Sequence, residues 1–408
     1  MSSIIEKVCR VCYSGISILL DFAKQPRAFD YYTGNENVEK FKFQLGQCFS
    51  CGTIQLVDAI PSSTMIPKYN WVENKEPTDH LNIVVETLKK DFFKDQKVKI
   101  LFISKYDEPI YERVVDYENV FACILDPKED LGLELNYISQ ATLQNKYVFT
   151  VIKKILNKYG KFDIIISCRM LEHSHQPAEF IKNLSLLLKD KGKMVIEIPD
   201  SSKPLVQTDV AMLWEEHLSY FTPSTLNNLM NLNGLKLIQN FICEYPQEDA
   251  LIGIFKKENN SDHFKKASFQ IEEEIELGNH FKIKTKLFKL AFRSFIHETR
   301  KEHGEIVFFG AGHRGIIFLN LMGVDSNAIK YILDDDKNKS GLRIPGVGIE
   351  IVKSDSILFD DIGVCIFAID IKIENVIEEK IKKLSGKKIK FYSISPDSNY
   401  SLPIFREL

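Results

Sequence analysis

The sequence predicts an α/β chain in three parts: a small metal-stapled module at the N-terminus, then two doubly wound α/β domains. Three observations carry that prediction. Paired cysteines occur twice near the N-terminus, as Cys9-Arg10-Val11-Cys12 and Cys48-Phe49-Ser50-Cys51. Short apolar runs then alternate with helical patterns in two separate series, the mark of parallel sheets covered on both faces. The second series opens on Gly310-Ala311-Gly312-His313-Arg314-Gly315 directly after an apolar run. At 408 residues the chain is too long for one ordinary core. The expected parts are 1–66, 67–256, a helical connection over 257–303, and 304–408.

Composition narrows the function. Apolar residues make up 44% and charged residues 27%, the balance of a globular protein. A formal net charge of −3 gives no electrostatic case for nucleic acid or an anionic membrane as partner. No apolar run reaches the roughly 18–20 residues of a membrane span, and the N-terminus lacks a secretory pattern. A cytoplasmic address is expected.

The cysteine pairs supply four soft ligands, each pair reaching one ion from a tight turn. Cys9, Cys12, Cys48 and Cys51 are therefore the expected ligands of a structural Zn²⁺ in a closed tetrahedral set. The long linker 13–47 is expected to hold its own hairpin. Cys123, Cys168, Cys243 and Cys365 lie in apolar runs and read as buried hydrophobes. The stretch 67–80 is aromatic and polar, with Tyr69, Asn70 and Trp71 as candidate ligand contacts; a plain linker is an equally good reading. From His80 the pattern turns helical, with Leu81, Val84, Val85 and Leu88 on one face.

Apolar strands are expected at 98–103, 120–125, 162–167 and 193–198, with helices near 111–115, 145–158 and 177–188. In such sheets a ligand sits beyond the carboxyl ends of the strands, so the residues just after each strand carry the site. After the first strand come Ser104, Lys105 and Asp107, with no glycine among them. Asp126 ends the second strand, where one carboxylate can accept both hydroxyls of a ribose; an ordinary surface turn before Pro127 competes evenly. Cys168, Arg169, Glu172 and His173 follow the third.

Next comes Trp214-Glu215-Glu216-His217-Leu218-Ser219-Tyr220-Phe221, two carboxylates, an imidazole and three aromatics in eight residues. It reads as a buried polar cluster or as an acid/base set in an apolar wall. A helix follows from Thr222-Pro223-Ser224, then a strand over 235–242. Dense mixed charge with recurring apolar positions over 258–302 reads as long connecting helices. Beyond them, strands are expected at 306–309, from Tyr331, and at 364–369. The glycine turn between strand and helix suits close approach of a phosphate to a helix N-terminus, which makes a second Rossmann-like domain the expected C-terminal unit. Gly310, Gly312, His313 and Arg314 are its candidate ligand contacts.

This order of parts resembles the nucleotide-sugar C-methyltransferases. The resemblance rests on the two cysteine pairs, Glu172-His173, Glu197-Ile198-Pro199-Asp200, Glu216-His217, and the Gly310–Gly315 and Gly341–Gly346 turns. It implies a Rossmann-like methyltransferase domain that binds S-adenosylmethionine with Ser104, Lys105, Asp107, Asp126, Cys168, Arg169, Glu172 and His173. It also implies a nucleoside-diphosphate 4-ketosugar, typically dTDP-linked, as substrate, held by Tyr69, Asn70, Trp71, Gly310, Gly312, His313 and Arg314. His217 takes the base role in such enzymes, with Glu216 as its orienter and Tyr220 or Trp214 as donors to the enolate. The chain departs from the family in having Trp214 where a Tyr is usual, and in its glycine-free first turn. Two other outcomes stay open: an epimerase or isomerase of the same substrates, and a non-catalytic relative.

Overall fold

The computed structural model describes residues 7–34, 36–69, 77–93, 97–134, 139–245, 248–258, 269–324 and 326–407. Strands are numbered along the chain. In the N-terminal module β1 (Ser17–Pro26) and β2 (Lys40–Gln47) form the antiparallel hairpin expected of the linker, and β3 (Ile54–Leu56) pairs with β2.

The central sheet contains β4 (Val98–Phe102), β5 (Val120–Ile124), β6 (Phe162–Cys168) and β7 (Leu188–Asp200). One short strand, β8 (Ser219–Tyr220), leaves this region to pair with β3 of the module. The sheet resumes with β9 (Leu235–Cys243) and β10 (Asp249–Lys257), in spatial order β5-β4-β6-β7-β10-β9. Its first four strands are parallel, as expected, and β9 shares their direction, but β10 between β7 and β9 is reversed. The few residues between β9 and β10 permit a hairpin but no crossover, so β10 runs antiparallel to both neighbours. The helix expected to reach residue 188 stops at Ser185, and Leu188 opens β7 instead.

Among the described residues of that stretch, one long helix, Ile271–His303, stands where long connecting helices were expected. Phe281, Phe288, Phe292 and Ile296 on its inner face share a core with Leu20 and Leu45 of the module and with Ile306 and Phe318 beyond it. The C-terminal sheet is wholly parallel: β11 (Glu305–Phe309), β12 (Tyr331–Leu333), β13 (Ile351–Val352), β14 (Ile362–Phe367) and β15 (Lys390–Ser393), in order β13-β12-β11-β14-β15. The module is no free appendage, because Cys9, Cys48 and Cys51 also pack with Leu226 and Leu229 of the central domain. No helix among the described residues is long and apolar enough to cross a membrane.

Candidate active site

The stretch 214–221 is held from both sides. Leu56 N–H donates to the Leu218 carbonyl at 3.0 Å, and Leu218 N–H donates to the Glu172 carbonyl at 2.7 Å. The cysteine module and the turn after β6 thus clamp one segment between them. The His217 ring meets His173 edge-to-face at 4.8 Å and Trp214 at 5.0 Å, and Trp214 stacks on His313 at 5.1 Å. Four rings converge from three sources: the turn after β6, the clamped stretch, and the glycine turn of the C-terminal domain. They line a cleft of about 610 Å³ that also touches Tyr106, Gln140, Arg169 and Glu197. It therefore lies beyond the carboxyl ends of β4, β6 and β7, at the switch point of the central sheet.

Electrostatics favour neutral rings here. Burial holds the His217 pKa well below its usual 6.5, with His173 and His313 adding to the effect. Burial also takes His173 down to about 3 and His313 down to about 4. Burial pushes Glu172 well above the carboxylate range. Among the described residues, Glu172 Oε2, His173 Nδ1 and Trp214 Nε1 have no hydrogen-bond partner. Buried polar atoms left this way ordinarily find a partner in a ligand or water. A neutral imidazole beside an unused indole N–H can accept a proton from a carbon acid while a donor faces the charge that develops.

Several expected residues stand elsewhere. Glu216 is not His217's orienter: its carboxyl is buried away from the cleft, near Glu215 and Arg27, and burial raises it to about 8. His173 and Trp214 hold the His217 ring instead. Tyr220 hydroxyl donates to the Trp214 carbonyl at 3.2 Å and does not line the cleft. Lys105 is exposed and lies over the ring of its neighbour Tyr106 at 5.3 Å. Asp126 is exposed, and its Oδ1 accepts the N–H groups of Lys128 and Glu129, the surface-turn arrangement. Ser104 and Cys168 are bound to Asp107, whose buried carboxylate accepts from Ile103 N, Ser104 N and Cys168 N at 2.7–2.8 Å. Tyr69 packs against Tyr31 at 6.5 Å; Asn70 and Trp71 lie outside the described residues.

The C-terminal turn reaches the cleft as expected. Gly310 has φ +112°, and a Cβ there would meet the Ala368 carbonyl at 2.5 Å; nothing lies within 4 Å of a Cβ at Gly312. His313 lines the cleft, and so does Arg314, paired with Asp209 at 2.7 Å. His80, the last residue of the 67–80 stretch read as a candidate ligand segment, joins Glu197 on the wall, together with Tyr245, which sequence reasoning missed. Glu197 near the carboxyl end of β7 was visible as a signal, whereas nothing local marks Tyr245.

The four cysteine sulfurs converge within 4.8 Å, with Cys9–Cys51 at 3.6 Å and Cys12–Cys48 at 3.4 Å. That is too far for a disulfide and near the ~3.8 Å edge of a zinc tetrathiolate with Zn–S of ~2.3 Å. Val11 N and Ser50 N point at Cys9 Sγ and Cys48 Sγ, the support expected of such turns. The unpartnered polar atoms of Glu172 and Glu197 beside Arg169 fit the charged methionine end of S-adenosylmethionine. Ser104 and Asp107 turn their polar atoms to each other and to the ends of β4 and β6, and Lys105 and Asp126 are not among the residues lining the cleft.

Residues 262–396 match the family model of the C-methyltransferase C-terminal domain, and residues 92–240 match a methyltransferase domain model. The C-methyltransferase NovU of Streptomyces niveus is 21% identical over 236 residues, covering 56% of this chain and 56% of that protein. The chain thus spans about half the length of the curated relative it matches. Among solved structures, an O-methyltransferase family protein from Burkholderia thailandensis is 10% identical, with a TM-score of 0.30 over 44% of this chain and 57% of that one. A SAM-dependent methyltransferase from Archaeoglobus fulgidus is 16% identical, with a TM-score of 0.30 over 43% of this chain and 94% of that one.

Proposed function

We propose that the chain is a C-methyltransferase, as its match to the C-methyltransferase C-terminal domain supports, and that it methylates the carbon beside the keto group of a nucleoside-diphosphate-linked deoxysugar through an enolate. The observation that carries this reading is His217, a neutral imidazole open to a cleft at the sheet's switch point, with Trp214 and His173 fixing its ring. The keto group acidifies the adjacent C–H, and His217 takes that proton, leaving its electron pair on carbon and, by resonance, on oxygen. Trp214 N–H donates to the enolate oxygen. When bound, S-adenosylmethionine supplies the electrophilic sulfonium methyl, and Arg169, Glu172 and Glu197 would hold its amino-acid end. His313, Arg314 and the open backbone at Gly312 face the nucleotide. Zn²⁺ on Cys9, Cys12, Cys48 and Cys51 has a structural task, since β3 clamps the stretch that carries His217. An address in the cytoplasm, among the enzymes of surface-polysaccharide synthesis, fits such a substrate.

Incubation with a dTDP-4-ketosugar in D₂O tests the base. The protein is expected to exchange deuterium at the adjacent carbon, and His217→Ala is expected to lose about 10²–10⁴-fold in that rate. Undiminished exchange in the variant removes His217 from the role. The glycine-free turn closed by Asp107 favours one second reading, enolisation without methyl transfer, as in an epimerase. Titration with S-adenosylhomocysteine separates the two: heat of binding supports the transferase, and none at high micromolar ligand supports the epimerase.

A further inference from the structure

Glu172 and His173 sit on the short turn Leu171–His173 that follows β6, and His217 sits on the clamped stretch. The bond from Leu218 N–H to the Glu172 carbonyl, at 2.7 Å, fixes the two segments against each other. It brings one carboxylate and two imidazoles to the same corner of the cleft, where one ligand atom from each lies within 4.8 Å of the others. Glu172 Oε1 is 3.8 Å from His173 Nε2, and the two imidazole rings meet edge-to-face at 4.8 Å. Glu172 is 4% exposed and His173 2%, yet Glu172 Oε2 and His173 Nδ1 have no hydrogen-bond partner among the described residues. Polar atoms held this deep without a partner are costly, and a ligand that engages them relieves the cost.

Two cations that line the cleft are engaged elsewhere. Arg169 Nε lies 3.6 Å from Glu197 Oε1 and its terminal N–H donates to the Pro77 carbonyl, while Arg314 pairs with Asp209 at 2.7 Å. Two imidazoles and a carboxylate beside open space are the donor set of an open zinc site, with three protein ligands and one free position. The cysteine module is the contrary case, four thiolates in a closed set. Mixed nitrogen and oxygen donors suit a borderline-soft dication, and three ligands with one carboxylate offer too few oxygens for Ca²⁺ and too little for Mg²⁺. Zn–N and Zn–O bonds of ~2.0–2.2 Å set tetrahedral ligands ~3.4 Å apart, so binding draws the three atoms inward by about an ångström.

We infer that Glu172, His173 and His217 form a second metal site, separate from the cysteine cluster and open to the cleft, for a dication of the zinc class. An ion there occupies the lone pair with which His217 takes its proton, and the Glu172 oxygen offered to the methyl donor. Occupation therefore switches the chemistry off, and the site is a reversible inhibitory one. That consequence rests on His217 as the base; the site itself does not.

Metal counting tests the site without turnover. Protein carrying zinc on its cysteines is titrated with Co²⁺, whose absorption reports the donors around it. A second ion is expected to bind in the micromolar range, with the visible d–d bands of nitrogen and oxygen ligands and no near-ultraviolet thiolate charge-transfer band. Mg²⁺ at millimolar concentration is expected not to compete. Glu172→Gln and His173→Ala are each expected to weaken the second ion at least about tenfold while keeping the first zinc. Wild-type protein that takes up no second ion, or cobalt that shows thiolate bands alone, overturns the site, and so does a second ion that both variants hold at full strength. The wild-type count decides by itself, so a variant that fails to fold does not shelter the proposal. Deuterium exchange then tests the inhibition. Zn²⁺ is expected to slow it at least about tenfold at concentrations that fill the site, and citrate, by taking the ion up, to restore it. Exchange undisturbed by a filled site overturns the inhibitory role. No exchange even without the second ion overturns His217 as the base, while the metal count still decides the site.

Discussion

Two α/β sheets end in the same cleft, and their first turns are finished in opposite ways. In the central sheet the turn after β4 has no glycine and is welded shut: Asp107, fully buried, accepts three backbone N–H groups and so ties the end of β4 to the end of β6. In the C-terminal sheet the turn after β11 is built of glycine, with space left above Gly312. An acid helps there too, since Asp334 accepts the Ala311 N–H at 2.9 Å, but its other oxygen accepts the Asp336 N–H at 3.0 Å, away from that turn, and it is itself paired with Lys339 at 2.8 Å. The difference shows that a Rossmann-like turn can keep its backbone open or spend it on its own sheet. Where it is spent, as after β4, the polar groups that line the cleft are side chains from the neighbouring strand ends, here Arg169, Glu172 and Glu197.

Breaking the weld gives the largest expected effect. Asp107→Asn keeps the shape but replaces one accepting oxygen with an amide that itself donates, so at least one buried N–H loses its acceptor. A loss of about 2–4 kcal/mol in unfolding free energy is expected from urea melts, with zinc content unchanged. An unchanged midpoint means the three bonds do not hold the turn. Opening the second turn's constraint comes next. Gly310→Ala puts a side chain at φ +112° and against the Ala368 carbonyl, at an expected cost of about 1–3 kcal/mol. Because the same turn carries His313 onto Trp214, tryptophan fluorescence is expected to shift with it. A variant as stable as the parent, with its emission unmoved, shows that the C-terminal turn tolerates what its geometry forbids.

Much of this was legible beforehand because it depends on local pattern. The paired cysteines, the parallel strands β4 to β7 and the glycine turn all follow from spacing that short-range physics controls. The antiparallel β10 escaped notice because its apolar run, with Asp249 before it and Lys256-Lys257 after it, is periodic in no way that separates parallel from antiparallel strands. The site was harder. His217 could be singled out as an imidazole in an aromatic stretch, but its partners come from 44 residues earlier and 96 later, at His173 and His313. Adjacency is a poor guide at Glu216: residues 214–217 form a turn closed by the His217 N–H donating to the Trp214 carbonyl at 3.0 Å, and the residue next to His217 in sequence does not line the cleft. Asp107 is hidden because its contact with Cys168 at the end of β6 is set by which strands pair, not by local sequence.

The wall between the two turns supplies the smallest effect and the finest test. Burial raises Glu216 to about 8, and Glu215, which accepts the Ala28 N–H at 2.6 Å, to about 7. Both folded values lie above that of an unfolded glutamate, ~4.3, so between these limits the folded state holds protons that the unfolded chain has released. The stabilisation is therefore complete below about pH 4 and lost as pH rises towards 8, at up to about 1.4 kcal/mol per pH unit for each proton. Glu216→Gln removes one of the two. Its urea stability is expected to fall less steeply than the parent's between pH 5 and pH 8, by roughly 1 kcal/mol per unit, with the residual slope left to the other buried groups, Glu215, Asp107 and Glu172 among them. Parallel curves mean that Glu216 is ionised in the folded protein, and the wall then has to contain a cation for it, with Arg27 the nearest named charge. In that case the two turns are separated by an ion pair, and the clamp on His217 becomes sensitive to salt instead of pH.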